Sequence, residues 1–356
     1  MIEIKIGKEI ITQKSRPYFI ADIAANHDGS LERAYKLIEL AKESGADVAK
    51  FQNFKAETIV SKKGFDILNE QLSHQSNWKK SVFDVYKAAS IDSSWTELLK
   101  KKCDDVGIEY MTSPYDFESV DLVVKYVNAY KIGSGDITWL EIIRYIAKKN
   151  KPILLATGAS MLADVQRAME AVAAFNTSMI LMQCNTNYTG NEENFKYINL
   201  NVLKKYKELY PNIILGLSDH THGHSAVLGA IALGANVIEK HFTDDNNREG
   251  PDHKFAMNPK SWREMVTASM ELYYAMGDGE KRIEKNELQT VIVQRRGLYL
   301  NKDIEKGQLI NEGDLIALRP MKKDGIEPYE VDKIIGKKVK KNLLKDSYLK
   351  MEDIEV

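Results

Sequence analysis

The chain has 356 residues, 44% of them apolar, with 50 basic against 51 acidic side chains and a formal net charge of -1. This supports one large core with an appendage, or two domains, and excludes a disordered or fibrous chain. The neutral balance excludes a global field toward nucleic acid or an anionic membrane, so any anion must be bound by local groups.

The N-terminal Met1-Ile-Glu-Ile-Lys-Ile-Gly-Lys lacks a signal peptide's apolar stretch, and no later run has bilayer length. The expectation is a cytoplasmic protein with no nucleic-acid or membrane partner. Cys103 and Cys184 have neither zinc-site spacing nor a disulfide framework and read as reduced thiols.

Residues 2–12 alternate in polarity around Gly7-Lys8, the pattern of a hairpin. Apolar runs then recur at Tyr18 to Ala25, Val48 to Phe54, Ile108 to Thr112, Ala129 to Ile132, Ile153 to Ala156, Met179 to Cys184, Ile213 to Leu217 and Val237 to Glu239. Helical patterns separate them. Leu31, Ala34, Ile38 and Ala41 repeat with helical period between Ser30, a cap, and Gly45, a terminator. Asp136, Ser160 and Asn258-Pro259 precede further helical stretches and read as N-terminal caps.

Eight such units without a Gly-x-Gly-x-x-Gly fingerprint favour an α/β fold closed as a (β/α)8 TIM barrel over an open doubly wound sheet. The insertion from Ala56 to Ser93, with Trp78 and a polar segment around His74, is too long for an ordinary loop and predicts a lid or rim. The rhythm stops at Gly277-Asp-Gly279, and Glu280 to Thr290 is charged and linker-like. Short strand patterns at Gly297 to Leu300, Leu309 to Ile310, Ile316 to Leu318 and Lys337 to Val339 follow, predicting a small C-terminal β-rich domain. Residues 1–283 are assigned to the barrel with its hairpin and 284–356 to the linker and small domain.

Strand tips line one pocket in such a barrel. The tips here offer Asp22, Asn26 and His27; Lys50 and Gln52; Lys131 and Ser134; Thr157; Asn185, Thr186 and Tyr188; then Ser218, Asp219, His220, Glu239 and His241. His220 and His241 occupy matched places on successive strands, where neighbouring tips can chelate one metal ion. His74, His222, His224 and His253 have no such pairing and read as rim or capping residues. Lys50 and Lys131 sit in apolar runs, costly to bury without an anion. Together they imply an anionic ligand, although either alone could be a barrel lysine paired with Asp or Glu. Cys184 reads as barrel packing.

Several motifs, in order, resemble the sialic acid synthase (N-acetylneuraminate synthase) family: Asn26-His27-Asp28-Gly29, Lys50-Phe51-Gln52, Tyr130 to Gly135, Thr157-Gly158, Gly216 to Thr221, Glu239 to Thr243 and Gly250-Pro251-Asp252-His253. Asp303 to Gly307 and Leu318-Arg319-Pro320 resemble that family's antifreeze-like (SAF) domain. The resemblance implies that His220 and His241 bind a divalent metal, Mn2+ with Mg2+ in its place. It also implies that Lys50, Lys131, Ser134, Thr186 and Ser218 surround phosphoenolpyruvate, while Gln52, Tyr188 and Asp252 surround an aminosugar. Arg319 would come from the partner of a domain-swapped homodimer. Asp22 stands where the family commonly has Glu, Ala156 where it has Ser, and Thr186 where some members have Asn.

The implied reaction condenses phosphoenolpyruvate with an N-acylated aminohexose, giving a nonulosonic acid and phosphate. Asp22 or Glu239 would position the water or move its proton, a choice the sequence leaves open. Two rivals are a barrel synthase acting on a sugar phosphate, which needs more basic residues, and a catalytically silent sugar-binding protein.

Overall fold

The computed structural model describes residues 2–68, 75–76 and 78–355. They form two compact units, Met1–Gly277 and Asp278–Val356. His74 and most of the polar segment around it lie outside the described residues.

The first unit opens with the expected hairpin, β1 (Glu3–Ile6) paired antiparallel with β2 (Glu9–Thr12). Gly7 takes φ 59° at the turn, a left-handed conformation that glycine adopts without a Cβ penalty. Eight parallel strands follow: β3 (Tyr18–Asp22), β4 (Val48–Asn53), β5 (Glu109–Pro114), β6 (Tyr130–Ile132), β7 (Ile153–Ala156), β8 (Met179–Cys184), β9 (Ile214–Asp219) and β10 (Ala235–His241). They close in the order β10-β3-β4-β5-β6-β7-β8-β9, so every apolar run of the predicted rhythm is a barrel strand.

The intervening helices are α1 (Leu31–Glu43), α2 (Ala56–Ile59), α3 (Lys62–Leu68), α4 (Val82–Ala89), α5 (Trp95–Val106), α6 (Phe117–Val123), α7 (Leu140–Ala147), α8 (Leu162–Ala173), α9 (Val202–Leu209), α10 (Ser225–Ala232) and α11 (Pro259–Met276). Ser30 caps α1 by accepting from Arg33 N, and Asn258 caps α11 by accepting from Lys260 N and Ser261 N. The other two predicted caps are corrected. α7 begins at Leu140, beyond a short 3-10 turn at Ser134–Asp136, so Asp136 is free of that duty. At α8 the first-turn Asp164 accepts from Met161 N, while Ser160 Oγ donates to Thr157 O instead.

The strand period of two divides the barrel into two apolar layers. Phe19, Ala21, Ala49, Phe51, Leu215, Leu217 and Ile238 face outward against the helices. Tyr18, Ile20, Val48, Met111, Leu154, Ile180, Ile214 and Val237 face inward, joined by Ile4, Ile6 and Ile11 of the hairpin. These three isoleucines are at most 2% exposed, each worth about 1.5–3 kcal/mol of burial. The hairpin thus plugs the N-terminal mouth, leaving the polar inward positions at the C-terminal tips.

The second unit holds α12 (Leu288–Gln294) and an antiparallel pair, β11 (Gly297–Leu300) with β12 (Leu315–Leu318). Isolated bridges Leu309↔Lys338 and Val339↔Ile354 mark the other predicted strand patterns. Leu298, Leu300, Ile304, Ile310, Ile326 and Val339 are among its core residues. Part of the predicted linker is α12 itself. No helix of the described residues is long and apolar enough to cross a membrane.

Candidate functional site

A cavity of about 490 Å³ lies at the C-terminal tips of the barrel. Asp22, Lys50, Gln52, Lys131, Ser134, Thr186, Tyr188, Ser218, His220, Glu239, His241 and Asp252 all line it. Strand register brings them together: Asp22 stands beside both Lys50 and His241, and Glu239 beside Ser218.

The floor is a charged quartet. The Lys50 ammonium donates to Asp22 and lies 3.7 Å from Glu239 Oε2, while Lys131 lies 3.3 Å from Glu239 Oε1. Ser218 Oγ donates to Glu239 Oε1 at 3.0 Å, and Gln52 Nε2 to Asp22 Oδ2 at 3.3 Å. The shorter Asp22 side chain therefore still reaches its neighbours. Both buried lysines have carboxylate partners inside the barrel, as the pairing alternative required. The Lys131 ammonium is weakly held, its only hydrogen bond among the described residues running 3.4 Å to Ile132 O.

The two carboxyls are pushed apart. Burial raises the Asp22 pKa despite Lys50, whereas the two lysines, working against burial, bring Glu239 below the usual range. One Glu239 oxygen, Oε2, is buried without a hydrogen-bond partner among the described residues.

The imidazoles of His220 and His241 face each other with ring centroids 5.4 Å apart. Burial lowers their pKa to about 3 and about 4, so both rings are neutral near pH 7. His220 Nδ1 donates to Asn185 O at 2.8 Å, which fixes the tautomer and leaves the Nε2 lone pair available. His241 Nδ1 is buried without a hydrogen-bond partner among the described residues, 3.9 Å from Asp252 Oδ2, and Nε2 lies 3.7 Å from Asp22 Oδ2. Among the described residues no three His, Cys, Asp or Glu side chains converge as a ligand set, so any metal here would take further ligands from water or substrate. The donors nonetheless fit a divalent cation. Two neutral nitrogen donors share the cavity wall with the carboxyl oxygens of Asp22, Glu239 and Asp252, a donor set that a divalent cation can use.

Other polar tip residues are turned away. Asp219 and Lys240 form a buried ion pair at 2.5 Å with outward parity, bracing the two histidine-bearing tips from outside. Asn26 Nδ2 donates to Phe242 O, and Thr157 Oγ1 to Met182 O. The His27 ring packs edge-on to Trp95 with centroids 5.7 Å apart. His253 is a buried brace rather than a rim residue, with Thr243 Oγ1 on one nitrogen at 2.7 Å and Asp28 on the other at 2.9 Å. It fixes the segment that carries Asp252. Ala156 is buried on β7 and does not reach the cavity wall. Arg319 lies in the second unit, where its Nε donates to Gln294 O at 2.5 Å.

Sequence reasoning missed several lining residues: Ser113, Tyr115, Asp136 and Cys184 on the barrel, with Phe54, Trp78 and Tyr86 at or within the insertion. Inward parity could have found two of them. Cys184 follows Met182 and Ser113 follows Met111, both inward-facing. Asp136 was hidden by its reading as a cap.

The wall leaves no room at Gly158, where a Cβ would lie 2.5 Å from Thr186 Cγ2 and 2.9 Å from Ser134 Oγ. Gly158→Ala is expected to cost about 1–3 kcal/mol in urea denaturation, the range for overpacking. Wild-type stability would show that the wall yields freely.

Comparison with known proteins agrees with this geometry. The family model described as "NeuB family" matches residues 37–281, and the SAF domain model matches residues 295–355. N,N'-diacetyllegionaminic acid synthase of Campylobacter jejuni is 37% identical, over 93% of this chain and 98% of that protein. Pseudaminic acid synthase of the same organism is 32% identical, over 95% of this chain and 96% of its own. Among solved structures, N-acetylneuraminic acid (sialic acid) synthetase from Leptospira borgpetersenii, in complex with citrate, superposes with a TM-score of 0.71 at 25% identity, covering 82% of this chain and 95% of that one. With a barrel whose tips gather the motif residues into one cavity, and a family match spanning most of the barrel, this chain belongs to the NeuB family.

Proposed function

We propose that the chain is a nonulosonic acid synthase, a transferase that condenses phosphoenolpyruvate with an open-chain N-acylated aminohexose and releases phosphate. The observation that carries the reading is the facing pair of neutral imidazoles, His220 and His241, above the quartet of Asp22, Lys50, Lys131 and Glu239. The names of the aligned relatives support the same reaction class.

His220 and His241 would hold the divalent metal, Mn2+ or in its place Mg2+, which supplies Lewis acidity toward the sugar aldehyde. Lys50 and Lys131 bind the phosphoenolpyruvate anion with Ser134, Thr186 and Ser218, exchanging part of their internal pairing for the ligand's charge. Gln52, Tyr188 and Asp252 hold the aminosugar so that its aldehyde carbon meets the enol carbon. Carbon-carbon bond formation leaves positive charge on the former enol ether carbon, which water captures before phosphate departs. Asp22 accepts that water's proton, because burial raises its pKa while the lysines lower that of Glu239, which makes Asp22 the more basic of the two. Glu239, held ionised by the lysines, stabilises the positive centre.

An acceptor phosphate would need its own cations. Among the described residues lining the cavity, Lys50 and Lys131 are the only Lys or Arg. This favours an unphosphorylated acceptor. Phosphate release from phosphoenolpyruvate with a panel of N-acylated aminohexoses tests the function, and no release with any of them would support a silent sugar-binding protein instead. Lys131→Met is expected to raise the KM for phosphoenolpyruvate about 10- to 100-fold, from loss of a charge-assisted hydrogen bond. An effect confined to the sugar would refute the assignment.

The same reading includes a cytoplasmic, domain-swapped homodimer in which Arg319 serves the barrel of the other chain. If His241→Ala and Arg319→Ala are each inactive yet folded and dimeric, their co-expression is expected to restore about a quarter of the sites by random pairing. Verified mixed dimers without activity would assign Arg319 to its own barrel or to none.

A further inference from the structure

With two imidazoles and no third converging ligand among the described residues, binding of a divalent ion depends on how firmly the two rings are held at one separation. The His220 ring is oriented by Asn185 O. His241 Nδ1 has no such hydrogen bond among the described residues, and that ring rests edge-on against Phe255 and Tyr188, at 4.9 and 6.1 Å between centroids. Its place is inherited from the backbone of β10.

A closed set of bonds fixes that backbone against the neighbouring tip. Asp219 and Lys240 are paired across β9 and β10, each one residue before a histidine. Strand alternation turns both side chains to the outer face of the barrel, behind the imidazoles. The Lys240 ammonium donates to Asp219 Oδ2 at 2.5 Å and to Thr221 O at 2.6 Å. Asp219 Oδ1 accepts from Thr221 N at 3.1 Å, and Thr221 Oγ1 lies 3.0 and 2.9 Å from the two carboxylate oxygens. The residues before and after His220 are thus both tied to the residue before His241, and all three are at most 2% exposed. A buried ion pair is weak evidence for stability, because apolar side chains of similar volume often serve the fold as well. What they cannot supply is a directional link between two particular residues on two strands.

We propose that Asp219 and Lys240, with Thr221, are positioning residues that set the separation of the His220 and His241 rings and thereby the affinity for the divalent metal; the inference rests on the metal reading above.

The test uses the full chain and Mn2+ alone, with affinity measured by calorimetry and stability by urea denaturation. Asp219→Asn/Lys240→Met removes both charges together, keeps an oxygen to accept from Thr221 and cuts the link between the strands. It is expected to bind Mn2+ about 10- to 100-fold more weakly, the usual cost of losing a group that orients a metal ligand, with a urea midpoint near that of the wild type. Arg16→Met/Asp47→Asn breaks an ion pair of 2.7 Å at the other end of the barrel and is expected to leave Mn2+ affinity unchanged. Thr221→Val changes no charge and little volume, and is expected to weaken Mn2+ about 3- to 10-fold through loss of the hydroxyl's bond to Asp219. A merely structural role would move the urea midpoint and not the affinity of the protein that stays folded. Wild-type affinity in the double variant overturns the proposal and leaves the metal reading standing, as does an equal fall in the Arg16 and Asp47 control. If the double variant does not fold, Thr221→Val decides: a fall of about threefold or more supports the proposal, and a smaller change overturns it. No Mn2+ binding by the wild type overturns the metal reading, and this proposal with it.

Discussion

Stripping divalent metal from the protein is expected to abolish turnover, and His241→Ala is expected to weaken metal binding by at least about 100-fold, more than loss of a supporting residue costs. The structural basis is the state of the two rings. His220 is locked by Asn185 O with its other nitrogen available, and His241 has a buried nitrogen with no hydrogen-bond partner among the described residues. A buried, unsatisfied nitrogen contributes little to folding, so the alanine variant should keep nearly wild-type stability. Three measurements separate the possibilities: Mn2+ affinity by calorimetry, phosphate release, and urea denaturation. Full activity in a rigorously metal-free preparation would end the proposal, as would His241→Ala retaining wild-type Mn2+ affinity. Unfolding in place of selective metal loss would recast the pair as structural.

Asp22→Asn is expected to lower kcat by about 10²–10⁴-fold, the usual contribution of a positioned general base, with KM for both substrates within a few-fold of wild type. The amide keeps the shape and can still accept from Lys50 and Gln52, but it cannot take the proton of the attacking water. Glu239→Gln should behave differently. That carboxylate is the shared partner of both lysines, at 3.7 Å from Lys50 and 3.3 Å from Lys131, so its loss frees two ammoniums and changes the KM for phosphoenolpyruvate as well as kcat. If Asp22→Asn turned over as fast as wild type, Asp22 would have no proton to handle. Asp22→Glu tests whether the extra methylene, crowding a carboxylate already in contact with Lys50, is tolerated in this cavity.

Much of this site was legible in the sequence because a parallel barrel ties chemistry to chain position. In a closed barrel an apolar run that breaks into polar residues marks a strand tip near the pocket, so Asp22, Lys50, Lys131, His220, Glu239 and His241 could be named as candidates from local pattern, together with others that proved to face away. Chain order also foretold the hairpin and the small second unit, whose turns and alternation are local properties. The motif resemblance added what pattern could not: it led to Asp252 and gave roles to Gln52 and Tyr188, which the strand tips already offered, and all three line the cavity.

The tertiary structure decided what depends on facing and on distance through space. Asp219 and Lys240 flank the two histidines in sequence yet point outward, because successive strand residues alternate sides. Asp136 looked like a helix cap and instead lines the cavity, because the chain makes a 3-10 turn there and starts α7 four residues later. The lysines implied an anion, but only closure of the barrel shows that each already has a carboxylate within 3.7 Å. Residue types and periodicity are written along the chain, whereas the electrostatic balance of the cavity, and the aromatic wall that the insertion brings to it, arise from groups far apart in sequence that meet only when the strands close.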